Sequence, residues 1–475
     1  MSRYLSWIIL ASLFFSCGLE ENNPRFTGSW LGNLIVNENV SMRIGIEVTT
    51  DNDSLIAKMA SVDQGVYGID VNSIIVKGDT VILNVAQMGV TYEGIFTADT
   101  TIDGHFIQGD RPPLVLNLSK VESIPGTPPP RHQIPKKPYP YNEEEIEFTN
   151  SLSGLKIAGT LTYPKRGRDF SAVVLITGSG PNDRDETIWG HKVFLVLADQ
   201  LTRKGIVVLR LDDRGVGGST GDHNTASMSD FADDAFAAVE YLIGRSDINI
   251  AKIGLIGHSL GADIAPLTAN RNENVDFVVL MAGAGVTLAE TIHMQTEHIY
   301  TRNGASNRAI NLNRRINQAV FDIGKSKTDR IGMETALKIE FKKLEPELAQ
   351  LSTEDKKRAE LPDVLNPEDY YGFLSENMRF DLSYNPSDEL ARLTIPILIL
   401  AGKRDTQVSA EFNVPLIQAA LQRAGNTNVT TRIFPEVNHL FQTCETGEID
   451  EYNQIGETIA PDVLKKISDW IKSLD

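Results

Sequence analysis

An α/β fold with a largely parallel sheet, preceded by a small all-β domain, is the architecture that this 475-residue chain predicts. Two changes of pattern carry the prediction. From Glu143 onward, apolar strand-like runs alternate with amphipathic helical stretches, as in a sheet whose strands are joined by crossover helices. Between Phe26 and Val121 the apolar residues instead recur with period two, in short runs broken by turn signals. The two regions are separated by residues 122–142, ESIPGTPPPRHQIPKKPYPYN, which hold seven of the 21 prolines and read as a semi-rigid extended linker.

Residues 1–17 carry Arg3 near their start and continue through the apolar run Leu5–Phe15, too short to span a bilayer and the right length for a secretory signal. Ser16-Cys17 ends that run and polar residues follow, a pattern that resembles a bacterial lipoprotein processing site. The expectation is an exported protein, tethered to a membrane through lipid on Cys17 at the periplasmic or cell-surface face. Cys444 then has no partner, and no structural disulfide is expected. A formal net charge of −18 argues against a nucleic-acid partner, because phosphate binding relies on clustered Lys and Arg.

In residues 24–121, Met42, Ile44, Ile46 and Val48 alternate, as do Leu114, Leu116 and Leu118, with turns at Asp51-Asn52-Asp53 and Lys77-Gly78-Asp79. Closely spaced short strands, with Trp30 available as a core plug, predict a barrel or sandwich. Residues 143–475 form the α/β domain. Its expected strands are 172–177, 206–211, 253–257, 277–282, 397–401 and 429–434. Phe194, Leu197, Ala198 and Leu201 share one helical face, and Phe231, Ala235, Val239 and Leu242 share another. From about 286 to 390 the alternation stops and helical patterns such as Leu337, Phe341, Leu344 and Leu348 take over. The strands resume at Ile397, so this stretch reads as a helical cap inserted into the domain.

The chemistry centres on Gly257-His258-Ser259-Leu260-Gly261, a Gly-x-Ser-x-Gly pattern at the end of an apolar strand and before a helical stretch. A sharp strand-to-helix turn needs glycines two positions either side of the serine and pushes its hydroxyl outward, which makes Ser259 the candidate nucleophile. A serine hydroxyl is a poor nucleophile near neutral pH, so a base must take its proton and an acid must orient that base. Asp405 follows one later strand and His439 the next, in the order Ser…Asp…His. Glu436 is a fallback acid, and His258 is expected to point away from the hydroxyl. Leu260 N–H and Ser179 N–H are the candidate oxyanion donors, with Gly178 N–H the alternative to Ser179. Asp213 and Arg214 are expected to pair with each other near the site. No His/Cys/Glu cluster has metal-ligand spacing, and the reading calls for no metal and no cofactor.

TGSGPNDRDE from Thr177, LDDRGVGGSTGD from Leu211, GHSLGADIAP from Gly257, and NHLFQTCETG from Asn438 with EYNQIGETIAP from Glu451 together resemble bacterial α/β-hydrolase serine esterases often labelled serine aminopeptidase-like. The resemblance covers about Glu143 to Asp475. It implies Ser259 as nucleophile, Asp405 as acid, His439 as base and an oxyanion donor at Ser179. The elbow of that family commonly reads GHSEGG, whereas this chain has Leu260 and Ala262. The expected activity is hydrolysis of small or medium acyl esters through an acyl-enzyme. Two alternatives stand beside it: an aminopeptidase with the same residues, its substrate amine held by Glu445, Glu448, Asp450 or Glu451, and a tethered ligand-binding lipoprotein.

Overall fold

A computed structural model describes residues 24–37, 40–51, 54–109, 111–326 and 329–474. Cys17 and the rest of the expected export signal lie outside the described residues. The chain forms two compact units, Met1–Pro128 and Pro129–Asp475.

In the first unit one antiparallel sheet of ten strands runs, in spatial order, Val66–Asp70, Ser54–Ser61, Val40–Asp51, Gly28–Asn37, Leu118–Val121, Thr101–Gln108, Val90–Ala98, Thr80–Val85 and Ser73–Lys77, with Leu114–Val115 paired to Thr101–Gln108. The two edge strands, Val66–Asp70 and Ser73–Lys77, are consecutive in the chain. Only residues 71 and 72 join them, and Val71 N–H donates to Ala57 while Asn72 N–H donates to Asn84, one bond toward each edge. Edges that close together require the sheet to curl onto itself, so the unit is barrel-like, with Trp30, Ile46, Leu83 and Tyr92 fully buried inside.

The second unit is built on eight strands: β1 Asn142–Thr149, β2 Lys156–Tyr163, β3 Phe170–Ile176, β4 Val207–Leu211, β5 Ile250–His258, β6 Phe277–Met281, β7 Ile397–Gly402 and β8 Val429–Phe434. Their spatial order is β1-β2-β4-β3-β5-β6-β7-β8, antiparallel in the first two pairings and parallel from β4 to β8. The parallel strands are apolar on both faces because helices cover both. Helices α2 (Met228–Ile243), α3 (Leu260–Arg271) and α10 (Ala410–Arg423) pack on one face; α1 (Val193–Arg203) and α12 (Pro461–Lys472) pack on the other. β1 and β2 escape the sequence reading; in β1, Glu143, Glu144, Glu145 and Glu147 mask the strand period.

Residues between β6 and β7 form the expected helical cap, including α4 Leu288–Arg302, α5 Asn307–Gly324, α6 Arg330–Leu348 and α8 Glu376–Ser383. Its own core contains Leu312, Phe321, Leu337 and Phe341. Each such side chain contributes roughly 1.5–3 kcal/mol, enough to make the cap a packed body rather than a loop. Pro346 lies in the last turn of α6 without ending it.

Part of the stretch expected as a semi-rigid extended linker, 122–142, is docked on the second unit. Residues after 128 belong to the second unit and are bonded to it: Arg131 Nη2 donates to Asn453 O (2.9 Å), and Gln133 Nε2 to Ile459 O (2.7 Å), while Ile134 packs against the core. Proline keeps this segment extended, but Arg131 and Gln133 supply the side-chain hydrogen bonds that fix it.

Candidate active site

β5 ends at His258 and α3 begins at Leu260, leaving Ser259 alone on the turn with φ 53° and ψ −119°. That backbone is rarely tolerated by a residue with a side chain and marks a site held by its surroundings. The glycines explain how. A Cβ on Gly257 would sit 2.0 Å from Gly261 O, and one on Gly261 would sit 2.1 Å from Ile176 O. Backbones at those distances admit only hydrogen, so the Gly-x-Ser-x-Gly spacing lets β5, its turn and β3 pass each other.

His439 stands on the loop after β8, and its Nε2 lies 2.9 Å from Ser259 Oγ. Its Nδ1 faces Asp405 Oδ2 at 2.7 Å, on the loop after β7. Asp405 is buried, and its other oxygen accepts from Gln407 N (2.9 Å) and Val408 N (2.8 Å). A carboxylate satisfied on one side by backbone N–H groups can present only its remaining oxygen to the imidazole. Glu436, the fallback acid, is exposed, and its carboxylate lies 3.9 Å from the Arg404 guanidinium. The three residues expected to meet therefore do so, from loops following three parallel strands at one rim of the sheet.

The loop after β3 runs beside the serine, where a Cβ on Gly178 would lie 3.3 Å from Ser259 Cβ. Gly178 N–H is already committed, donating to Glu186 Oε1 at 2.8 Å. Ser179 N–H and Leu260 N–H have no partner among the described residues, which separates Ser179 from its alternative. Asn182 Nδ2 donates to the carbonyls of Gly178, Ser179 and Gly180 at 3.1, 3.3 and 2.9 Å, drawing these oxygens to its own side.

Several bonds that hold this rim were not legible in the sequence. Asp213 accepts from Thr177 Oγ1 (2.6 Å) and Asn182 N (2.9 Å), and burial pushes its carboxyl up to about 7. Contrary to expectation it does not pair with Arg214, because both its oxygens are turned to Thr177 and Asn182 on the loop after β3. Arg214 instead takes Asp234 through Nε (2.7 Å) and Nη2 (2.9 Å), and Arg184 takes Asp212 in the same bidentate way.

His258 does turn away from the hydroxyl, and it has a partner there. Its Nδ1 lies 2.9 Å from Glu186 Oε1 and its Nε2 lies 3.0 Å from His439 O. With an acceptor at each ring nitrogen, the geometry favours the doubly protonated ring. Burial opposes that charge, but the Glu186 carboxylate outweighs it and raises the His258 pKa. Through one carboxylate and one imidazole, the oxyanion loop, the elbow and the histidine loop are tied together. His191 sits behind the histidine loop, Nδ1 on Thr458 Oγ1 (3.0 Å) and Nε2 on Tyr452 O (3.0 Å), and burial lowers it to about 4, so it is a neutral packing residue.

A cavity of about 270 Å³ adjoins the oxyanion loop, walled by Leu211, Phe231, Leu260, Ile264, Met378 and Asp381. Met378 and Asp381 come from α8 of the cap. Three of the four acidic residues expected to hold a substrate amine are engaged elsewhere. Glu451 accepts from the backbone N–H groups of Glu445 (2.6 Å), Thr446 (2.9 Å) and Gly447 (2.9 Å), and Glu448 meets His298 at 2.9 Å. Asp450 is bonded to Arg302 at 2.6 Å.

Sheet order 1-2-4-3-5-6-7-8, a strained serine between β5 and its helix, and acid and histidine on the last two strand exits define an α/β hydrolase. Comparison agrees. Residues 191–304, which include the elbow, match the family described as serine aminopeptidase, S33. The esterase EstD of Thermotoga maritima is 29% identical over 342 residues, 72% of this chain and 70% of that one. An acyl transferase of Shewanella hanedai is 36% identical over 109 residues, 22% of this chain and 33% of its own. Among solved structures, the Pyrococcus furiosus esterase Pf2001 aligns with a TM-score of 0.40 at 18% identity, over 73% of this chain and 97% of that one. The chain has the α/β-hydrolase fold and is similar to serine aminopeptidase-type proteins and esterases.

Proposed function

We propose that this protein is a serine carboxylic ester hydrolase acting through an acyl-enzyme. The observation that carries the reading is His439, within hydrogen-bond reach of Ser259 on one nitrogen and of Asp405 on the other. Asp405 keeps the Nδ1 proton in place, so that Nε2 is free to accept the Ser259 proton. Ser259 Oγ then bonds to the ester carbonyl carbon. The negative charge moves to the carbonyl oxygen, where Leu260 N–H and Ser179 N–H receive it. The imidazolium gives its proton to the departing alkoxide, the alcohol leaves, and water activated by His439 releases the acid. The apolar cavity flanking Leu260 suits a small or medium acyl group.

Purified protein is expected to release p-nitrophenol from short acyl esters and to react with a fluorophosphonate at Ser259. Ser259→Ala should lower kcat by about 10⁴-fold or more without changing the fold. Turnover that survives this substitution would end the proposal. Amide cleavage by the same residues is the second reading, favoured by the family description alone. Because Glu448, Asp450 and Glu451 serve their own surroundings, matched aminoacyl esters and amides should show a large preference for the ester. The Leu5–Phe15 run and Ser16-Cys17 further support tethering, so Cys17→Ser is expected to move the protein from the membrane to the soluble fraction of bacterial cells.

A further inference from the structure

The barrel-like unit is packed very differently at its two ends. At one end Phe26, Trp30 and Phe96 form a stopper, with ring centroids 5.8 to 6.1 Å apart and Trp30 Nε1 bonded to Phe26 O at 2.8 Å. At the other end lies a cavity of about 300 Å³, lined by Leu34, Met42, Met59, Ile69, Met88 and Phe106. Its floor is buried, with Leu34 and Met59 each 2% exposed, while its rim leaves Val36 40% and Met88 37% exposed. Apolar side chains left in water around an apolar hole are costly in a domain that has no use for them. Three unbranched Met side chains line the same hole, and thioethers adapt to flexible ligands better than branched residues do.

The polar groups at this mouth are few. Ser61 Oγ is bonded to Gln64 Oε1 at 2.7 Å and Gln108 Nε2 to Met88 O at 3.2 Å, so both are occupied. Arg111 also lines the cavity, is exposed, and its guanidinium has no hydrogen-bond or ion-pair partner among the described residues. A lone cation at the lip of an apolar hole is complementary to a molecule with an apolar tail and an anionic head.

We infer that the open end of the barrel is a binding site for a single-chain amphiphile with a carboxylate head, a medium-chain fatty acid being the simplest case. The tail lies among the Met side chains, and the carboxylate meets the Arg111 guanidinium at the mouth. A volume of about 300 Å³ is at the lower bound for small-molecule sites, which suits one acyl chain and excludes bulkier lipids. The site is separate from Ser259 and does not depend on the hydrolytic reading.

The test uses the full chain carrying Ser259→Ala, so that nothing is turned over, and a diazirine-bearing dodecanoate as photoreactive probe. Labelling is expected to saturate and to map to peptides within residues 34–44, 59–69 and 88–114, with unlabelled dodecanoate competing. Dodecyltrimethylammonium, with the same tail and the opposite head, should compete about tenfold less well, and Arg111→Glu should weaken binding by about tenfold. In the otherwise unaltered chain Arg111→Glu should leave ester hydrolysis unchanged. Labelling that does not saturate, or that falls only within residues 129–475, would overturn the site. Equal competition by the cationic amphiphile, or an Arg111→Glu chain that binds normally, would overturn the carboxylate assignment.

Discussion

The rim of the α/β sheet and the open end of the barrel are both concave, yet they are built on opposite terms. At the rim the groups that support Ser259 are held by others: Asp405 by two backbone N–H groups, Gly178 by Glu186, Asn182 by Asp213. At the barrel mouth the lining is mostly apolar and adaptable, and the one charged group is unpaired among the described residues. The glycines show the same difference. Gly257 and Gly261 leave no space for a methyl group, whereas Gly89, beside the cavity-lining Met88, has φ 59° and nothing within 4 Å of its absent Cβ. A site for bond-making needs fixed atoms, and a site for a flexible chain needs room.

The comparison breaks first at the elbow. Gly261→Ala would drive a methyl group into Ile176 O; the expected outcome is a loss of about 3 kcal/mol or more and no measurable turnover, checked by thermal unfolding and ester assay. Glu186→Gln comes next. It keeps the shape but removes the charge opposite His258, so kcat is expected to fall on the order of 10²-fold through misplacement of His439 and the oxyanion loop. Its pH dependence distinguishes this from general damage. A histidine raised on folding stabilises the fold fully below its unfolded value near 6.5, and that contribution is lost as pH rises through the folded value. In Glu186→Gln burial is no longer opposed by that carboxylate, so the loss of stability above about pH 6.5 should shrink or disappear relative to the parent; an unchanged profile would show that the pair is not charged.

Smaller effects sharpen the contrast. Burial pushes the Asp381 carboxyl up to about 6, against an unfolded value near 4. The folded chain holds this proton while the unfolded chain releases it, so stability falls between pH 4 and 6 and the penalty is constant above. Asp381→Asn keeps an acceptor for Met228 N–H and should gain roughly 1–2 kcal/mol at pH 7, with no gain at pH 4, as read from denaturant midpoints. Smallest of all, Gly89→Ala meets no atoms and only the left-handed backbone, and should cost about 1 kcal/mol with ester turnover unaltered.

Hydrophobic period and glycine spacing are local signals, and the features they encode could be read directly. They placed β3 to β8, the cap, the elbow and the order of Ser259, Asp405 and His439. What escaped is what no local pattern encodes. Glu186 and His258 are 72 residues apart, and only the parallel pairing of β3 with β5 brings their loops together. Asp213 and Arg214 carry opposite charges side by side, which invited a pairing, whereas their partners, Thr177 and Asp234, lie 36 and 20 residues away. Curling of the first unit into a barrel depends on which strands become edges, a property of the whole sheet rather than of any strand.

The bonds made by Arg131 and Gln133 have a practical reach beyond the fold. Proline-rich stretches between globular bodies are ordinarily where proteases cut, but here Arg131 grips Ile455 O and Asn453, and Gln133 takes the N–H of Thr458 and Ile459 (2.5 and 3.0 Å). Trypsin or a broad-specificity protease should therefore spare the bonds after Arg131. A stable fragment of the larger unit would carry this strap at its front, and a truncation placed at residue 142 would strip it away.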